Sequence, residues 1–278
     1  MESQRRLTEA VVSWGVDGLT ALGVTSEAAE LSEEERDEAL AAIAETAAGR
    51  VPLAVGCSAS EPELVVDRAR RARDAGAAAA MVSAPPATAV EELPAFFARV
   101  ASGAGLPLLV QDEPAATGVV MDVGTLLDCV RASGSRGVKL EHPPTPPKIA
   151  EVRRADSGLA VFGGLGGLFA LSELRHGAAG TMTGFAFPEI LREVRIAVEA
   201  GDADRAGTLF DRYLPLLQFE AQPGVTLAVR KELLRRRGAI ATAAVRRGAV
   251  LDPVTATDLD DVLRRTGVTP VKDQLDLS

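Results

Sequence analysis

Pro107-Leu108-Leu109-Val110-Gln111-Asp112-Glu113-Pro114 and, further along, Gly137-Val138-Lys139-Leu140-Glu141 share one pattern, a short apolar run closed by polar or charged residues. An apolar run without alternation fits a strand buried on both faces, as parallel strands covered by helices are. The pattern recurs outward in both directions, at residues 18–24, 51–57 and 79–84 and again at 160–164 and 180–184. The repeat interval, roughly 20 to 30 residues, is the length of one βα unit.

Between the runs lie charged, Ala-rich segments with helical spacing. Ser32 caps one that runs through Ala48, with Glu35 three residues on as its capping-box partner. Others are expected over 4–14, 62–76, 90–101, 123–132 and 169–175. Beyond Pro188 the period is helical alone, over 189–200, 203–217, 227–236 and 257–265. Strands alternating with helices predict an α/β parallel sheet. No Gly-x-Gly-x-x-Gly follows the first strand, so a doubly wound dinucleotide fold is disfavoured. The expectation is a (β/α)8 TIM barrel lacking its first strand, residues 1–200, with a C-terminal helical extension over 201–278. The strands near Leu19 and Met182 would flank the gap with unpaired backbone groups. An upstream start, roughly 20 to 25 residues earlier, is the favoured account of the missing strand.

With 278 residues, 47% of them hydrophobic, the chain can bury one large core. The net charge of −9 disfavours nucleic acid, which needs a concentrated basic surface. A small molecule is the expected partner. Met1-Glu2-Ser3-Gln4-Arg5-Arg6 lacks the apolar run of a signal peptide, and no stretch of about 18 apolar residues could span a bilayer, so the cytoplasm is expected. Two cysteines, Cys57 and Cys129, and two histidines, His142 and His176, make neither a disulfide framework nor a metal-ligand spacing.

In a barrel the site is built at the carboxyl ends of the strands. Four places qualify: Thr25-Ser26-Glu27, Gln111-Asp112-Glu113, Lys139-Leu140-Glu141 and Thr181-Met182-Thr183. Lys139 and Glu141, two apart in a strand, leave the same face about 7 Å apart. An amine among apolar neighbours is pushed toward its neutral, nucleophilic form, and a carboxylate in contact pulls the other way. Glu141 is therefore expected to face the substrate rather than rest on the lysine. The same spacing also describes a strand-end lysine in an ordinary ion pair.

These segments together resemble the dihydrodipicolinate synthase and N-acetylneuraminate lyase family. The stretch from Gly18-Leu19 through Leu22-Gly23-Val24-Thr25-Ser26-Glu27 resembles its Gly-Thr-Thr-Gly-Glu loop, followed by Leu31-Ser32 and Glu34-Glu35-Arg36. The 107–114 segment with Thr117-Gly118 resembles the strand reading Tyr-Asn-x-Pro, and Gly137-Val138-Lys139 stands where the family has its Schiff-base lysine. Gly177 and Gly180-Thr181-Met182-Thr183 match the last strand. The departures are Gln111 for the proton-relaying tyrosine, Ala116 for the arginine gripping a distal carboxylate, and Val24 for the first loop threonine. An amide does not shuttle protons as a phenol does. Val-Gln-Asp-x-Pro, Lys-x-Glu, Gly-Thr-Met-Thr, Pro223-Gly224 and Arg230-Lys231 resemble instead the branch that contains 2-keto-3-deoxy-L-arabonate dehydratase.

The resemblance implies a lyase that forms an imine between Lys139 and a small 2-oxo acid, with no metal and no cofactor. Glu141 takes over the tyrosine's proton transfer beside Gln111. Thr25 and Ser26 hold the 1-carboxylate, and Asp112, Gly164 and Thr183 complete the pocket. Loss of water from a 3-deoxy-2-oxo sugar acid is expected first, retro-aldol release of pyruvate second, in a homo-oligomer, dimer or tetramer. Two rivals stand beside these. One is a non-catalytic barrel that binds a metabolite. The other is a phosphate-binding isomerase, suggested by Gly163-Gly164-Leu165-Gly166-Gly167, although no basic residue accompanies that run and a tight turn lining the pocket is the favoured reading of it. Period-2 parity turns His142 away from Lys139. Cys57 reads as packing, and Arg235-Arg236-Arg237 as a solvated helix end.

Overall fold

A computed structural model describes residues 1–269; residues 270–278 of the expected extension and the side chain of Thr25 lie outside the described residues. Seven parallel strands pair in chain order: β1 (Leu19–Ala21), β2 (Leu53–Gly56), β3 (Ala79–Ser83), β4 (Leu108–Asp112), β5 (Gly137–Leu140), β6 (Ala160–Gly163) and β7 (Gly180–Thr181). Helix α1 (Glu2–Ser13) precedes them. Helices α2 (Glu33–Ala47), α3 (Pro62–Asp74), α4 (Leu93–Ala104), the short α5 (Pro114–Thr117), α6 (Val123–Ser133), α7 (Thr145–Ala155) and α8 (Ala170–Arg175) connect the strands. After β7 come α9 (Pro188–Glu199), α10 (Ala203–Glu220), α11 (Thr226–Arg236) and α12 (Pro253–Thr266). This is the TIM-barrel-like sheet expected, with seven strands and a C-terminal set of helices, β1 and β7 forming its edges.

All seven expected strands are present, each formed within its apolar run. Outward-facing Ala80, Val82, Val110, Val138, Leu140 and Val161 pack on Val65, Phe97, Leu126 and Ile149 of the surrounding helices in one continuous core. Each large aliphatic side chain so buried contributes about 1.5–3 kcal/mol. The opposite face is layered by register. Met81, Leu109, Gly137 and Ala160 form one row, and Ser83, Gln111, Lys139 and Phe162 form the next toward the carboxyl ends. That second row forms the floor of the site.

The capping box of α2 is formed: the Glu35 N–H donates to Ser32 Oγ at 3.2 Å and the Ser32 N–H to Glu35 at 3.0 Å. A second core straddles residue 200, joining Leu174 of α8 and Ile190 and Val194 of α9 to Leu216, Val229 and Leu263 of α10, α11 and α12. Its polar fasteners are buried. Arg230 donates to Glu220 at 2.7 Å, and Arg237 pairs with Glu189 at 2.6 Å beneath the ring of Trp14, 3.5 Å from its centroid. The solvated reading of the three arginines therefore fails at Arg237. Each helical residue turns by about 100°, so Arg235 faces water while Arg237 swings inward between Trp14 and Phe187. Helices α5 and α7 lie outside the expected set; prolines at 114, 146 and 147 mask them, yet stand in first turns where proline is tolerated.

Candidate active site

Gln111 and Lys139 sit side by side in register on β4 and β5. The chain continues each strand by one more same-face position, to Glu113 and Glu141. The Glu141 N–H donates to the Asp112 carbonyl at 2.8 Å, which extends the pairing just past the end of β5. The four side chains meet. Lys139 Nζ lies 2.8 Å from Glu141 Oε2, each side chain only 12% exposed. Gln111 Nε2 donates to the same Glu141 oxygen at 2.7 Å and to Glu113 Oε2 at 2.8 Å.

Glu141 was expected to stand apart from the lysine; it rests directly on it. The reason is local. The Gln111 amide draws the carboxylate inward, and the backbone beyond β6 closes from the other side, with the Leu165 N–H 3.4 Å from Glu141 Oε1. Gly164 is part of this arrangement, since a Cβ there would sit 2.3 Å from Glu141 Oε1. The glycine run thus admits carboxylates. A Cβ at Gly163 would fall 1.8 Å from Glu173 Oε2, so a phosphate at this turn would face two acidic groups.

The remaining expected residues are spread more widely. Ser26 lies in the turn after β1 and directs both its N–H and its O–H to the Gly23 carbonyl, at 3.0 and 2.6 Å. Thr25 shares that turn through its backbone. Glu27, in the left-handed region at φ 56°, ties the turn to the C-terminal extension through Lys231 of α11 and the Arg246 N–H of the α11–α12 connection. Thr183 follows β7, its hydroxyl accepting from the Phe185 N–H at 3.2 Å. Asp112 points the opposite way from Gln111, as strand alternation requires. Fully buried, it pairs with Lys148 of α7 at 2.6 Å, and burial still holds its carboxyl above the ordinary range despite that cation. The structure sets it apart from the Lys139 cluster. Cys57 is likewise packed, its thiol pushed by burial to about 12.

Two further acidic residues stand out: Glu113, offered by the sequence within the Gln111-Asp112-Glu113 strand end but given no role, and Glu173, on the outer side of the turn after β6. Burial, reinforced by the charge of Glu141 and opposed by Lys139, pushes Glu113 up to about 7. Its signal was available, because Gln111 and Glu113 have the same two-residue spacing as Lys139 and Glu141. Glu173 of α8 is fully buried, accepts from the Thr145 hydroxyl at 2.5 Å, and is pushed to about 7 by burial, with the hydroxyl opposing and Glu141 assisting. No sequence pattern marked it. Among the described residues no three His, Cys, Asp or Glu side chains converge as a metal-ligand set, and no helix is long and apolar enough to cross a membrane.

An amine in direct contact with a carboxylate, backed by a second carboxyl, can carry out nucleophilic addition coupled to proton transfer. The sequence pattern of the Dihydrodipicolinate synthetase family matches residues 1–262. The chain belongs to that family. The L-2-keto-3-deoxyarabonate dehydratase of Azospirillum brasilense is 33% identical over 276 residues, covering 95% of this chain and 88% of that protein. The 4-hydroxy-tetrahydrodipicolinate synthase of Corynebacterium aurimucosum is 31% identical over 267 residues, covering 93% and 84%. The crystal structure of dihydrodipicolinate synthase from Rhodopseudomonas palustris superposes with a TM-score of 0.90 at 34% identity, covering 95% of this chain and 91% of that one. Members of the Dihydrodipicolinate synthetase family are Schiff-base lyases, and this chain is a lyase of that family.

Proposed function

We propose that the chain dehydrates a 3-deoxy-2-oxo sugar acid through an imine on Lys139. The observation that carries this reading is the Gln111 amide, which stands in the tyrosine's place and bridges two carboxyls beside the lysine. A site with carboxyl groups in place of a phenol suits proton abstraction next to an iminium. The similarity to a protein named as a 2-keto-3-deoxyarabonate dehydratase points the same way.

The proposed steps draw on the groups around Lys139. Lys139 Nζ attacks the C2 carbonyl while Glu141, 2.8 Å away, takes up its proton. Glu141 returns that proton to the carbinolamine hydroxyl, which leaves as water, and the iminium so formed acidifies C3. Glu141 removes a C3 proton, the C–H pair becomes the enamine double bond, and the C4–O bond then breaks with its pair on oxygen. Hydrolysis of the imine returns the lysine. The turn holding Thr25 and Ser26 takes the 1-carboxylate, which requires the Ser26 hydroxyl to leave Gly23. Gly164 and Thr183 border the hydroxylated tail, and Asp112 supports the pocket from behind through Lys148. The absence of arginine at Ala116, together with the acidic pocket wall, disfavours a substrate with a distal carboxylate.

Borohydride reduction with pyruvate or a 3-deoxy-2-oxo sugar acid is expected to add mass at Lys139 alone, and Lys139→Ala to abolish it. Trapping at another lysine, or none in a folded protein, overturns the imine. Pyruvate among the products would replace dehydration by retro-aldol cleavage.

A further inference from the structure

Glu113 lies one same-face position beyond Gln111, and its backbone is pinned: its carbonyl accepts from the Ala116 and Thr117 N–H groups at 3.1 Å each and from the Thr117 hydroxyl at 3.0 Å. Its side chain is half-buried and bonded to Gln111 Nε2, the nitrogen that also serves Glu141. Two carboxyl oxygens thus lie within 2.8 Å of one nitrogen. Carboxyl groups so placed resist ionising together. The surroundings decide which keeps its charge. Lys139 Nζ contacts Glu141 at 2.8 Å, whereas Glu113 has no cation partner among the described residues. Burial and the Glu141 charge hold the Glu113 proton up to about 7. When surroundings separate two carboxyls in this way, one is suited to act as base and the other as acid.

We infer that Glu113 is a second catalytic carboxyl, the acid that protonates the departing C4 hydroxyl while Glu141 serves as the base. This rests on the dehydratase reading. The Lys139–Glu141 pair is committed to imine formation and C3 deprotonation. Glu173 lies behind Gly163 on Thr145, outside the inward row. Glu113 remains, on the same face and next to Glu141. As the enamine pair swings to C3–C4, the C4–O bond breaks and the Glu113 proton passes to that oxygen, releasing water and leaving Glu113 ionised. The proton taken from C3 by Glu141 then returns to Glu113 through solvent, so both groups reset and the net loss is one water. Gln111, unable to relay a proton itself, positions the pair.

Glu113→Gln separates the roles. Exchange of pyruvate methyl protons with deuterium from the solvent needs the imine and the base but no leaving hydroxyl. The variant is expected to trap pyruvate on Lys139 and exchange its protons at the wild-type level. Dehydration of 3-deoxy-2-oxo pentonate should fall by about 10²-fold or more, the scale of general acid catalysis. The wild-type kcat should decline as pH rises through about 7, where Glu113 gives up its proton, and that limb should be missing from the residual rate of the variant. Glu113→Asp, which keeps a carboxyl, should restore part of the activity. If Glu113→Gln dehydrates at the wild-type rate, or loses exchange and dehydration equally, Glu113 is not the acid. A wild type that traps and exchanges pyruvate yet dehydrates no 3-deoxy-2-oxo acid overturns the dehydratase reading and this inference with it.

Discussion

Gln111 and Lys139 are register partners on neighbouring strands, and their side-chain nitrogens converge on one oxygen, Glu141 Oε2, at 2.7 and 2.8 Å. That oxygen accepts from a neutral amide and pairs with an amine. Removing either donor would therefore alter the carboxylate in a different way: loss of Gln111 frees its position, loss of Lys139 strips its countercharge.

Glu141→Gln keeps the shape and the Leu165 contact but supplies no base. Imine trapping on Lys139 should persist, while turnover of a 3-deoxy-2-oxo acid should fall by about 10²-fold or more. Steady-state kinetics beside a borohydride trap checks this. Unchanged turnover would remove Glu141 from the proton transfers.

Gly164→Ala tests how closely the β6 loop must approach. A methyl group 2.3 Å from Glu141 Oε1 cannot coexist with the carboxylate in its present place, so the side chain or the loop must move. A destabilisation of about 1–3 kcal/mol is expected from such overpacking, with kcat reduced and Lys139 still trapped by borohydride. A variant with wild-type kcat would show that the position of the carboxylate is less constrained than the contact indicates.

The sheet and the inward row were legible because two simple signals carry them, continuous apolar runs for buried parallel strands and two-residue parity for a shared face. Those signals brought out Gln111, Lys139 and Glu141 and placed Glu113 in the same strand-end stretch, two residues from Gln111 on its face, though without a role. Helix α7 was hidden, since Pro146 and Pro147 read as breakers until they are seen to occupy its first turn. With it went Lys148, so Asp112 looked like a substrate ligand when it is the buried partner of a lysine from the next layer. Glu173 was beyond reach for a different reason. Its role depends on a close approach of α8 to Gly163, a long-range packing fact with no local pattern.

Lys148→Met follows from that buried pair. Lys148 Nζ donates to Asp112 Oδ2 at 2.6 Å and to the Met121 carbonyl at 2.5 Å, so its removal leaves a carboxyl buried without a countercharge. A loss of about 3–5 kcal/mol is expected. Asp112→Asn in the same chain should recover part of it, since the amide has no charge to strand. Urea unfolding of the two single variants and the double variant measures the coupling; additive losses would show that the two side chains do not act as a pair.

Glu173 gives the protein a pH dependence whose sign can be stated. Its carboxyl, moved from 4.5 to about 7 chiefly by burial, binds its proton more tightly in the folded chain than in the unfolded one. Below 4.5 both forms are protonated and the group is neutral toward folding. Between 4.5 and about 7 the unfolded chain releases the proton while the native chain keeps it, so stability falls as pH rises through that window and levels off above it. Glu113 acts in the same direction over the same range. Carboxylates held low, such as Glu33 beside Arg68, act in the opposite direction and at lower pH, where protonation removes their ion pairs. Glu173→Gln keeps an acceptor for the Thr145 hydroxyl and has no proton to lose. Its urea midpoint should vary less than that of the wild type from pH 4.5 to 8, and at pH 8 it should be the more stable of the two by up to about 3 kcal/mol. The two proteins should converge at pH 4.5. The slope should shrink without vanishing, because Glu113 remains. An unchanged slope in Glu173→Gln would mean that the buried carboxyl is already ionised in the fold, and that the cluster around Lys139 carries one more negative charge than this arrangement of acid and base allows.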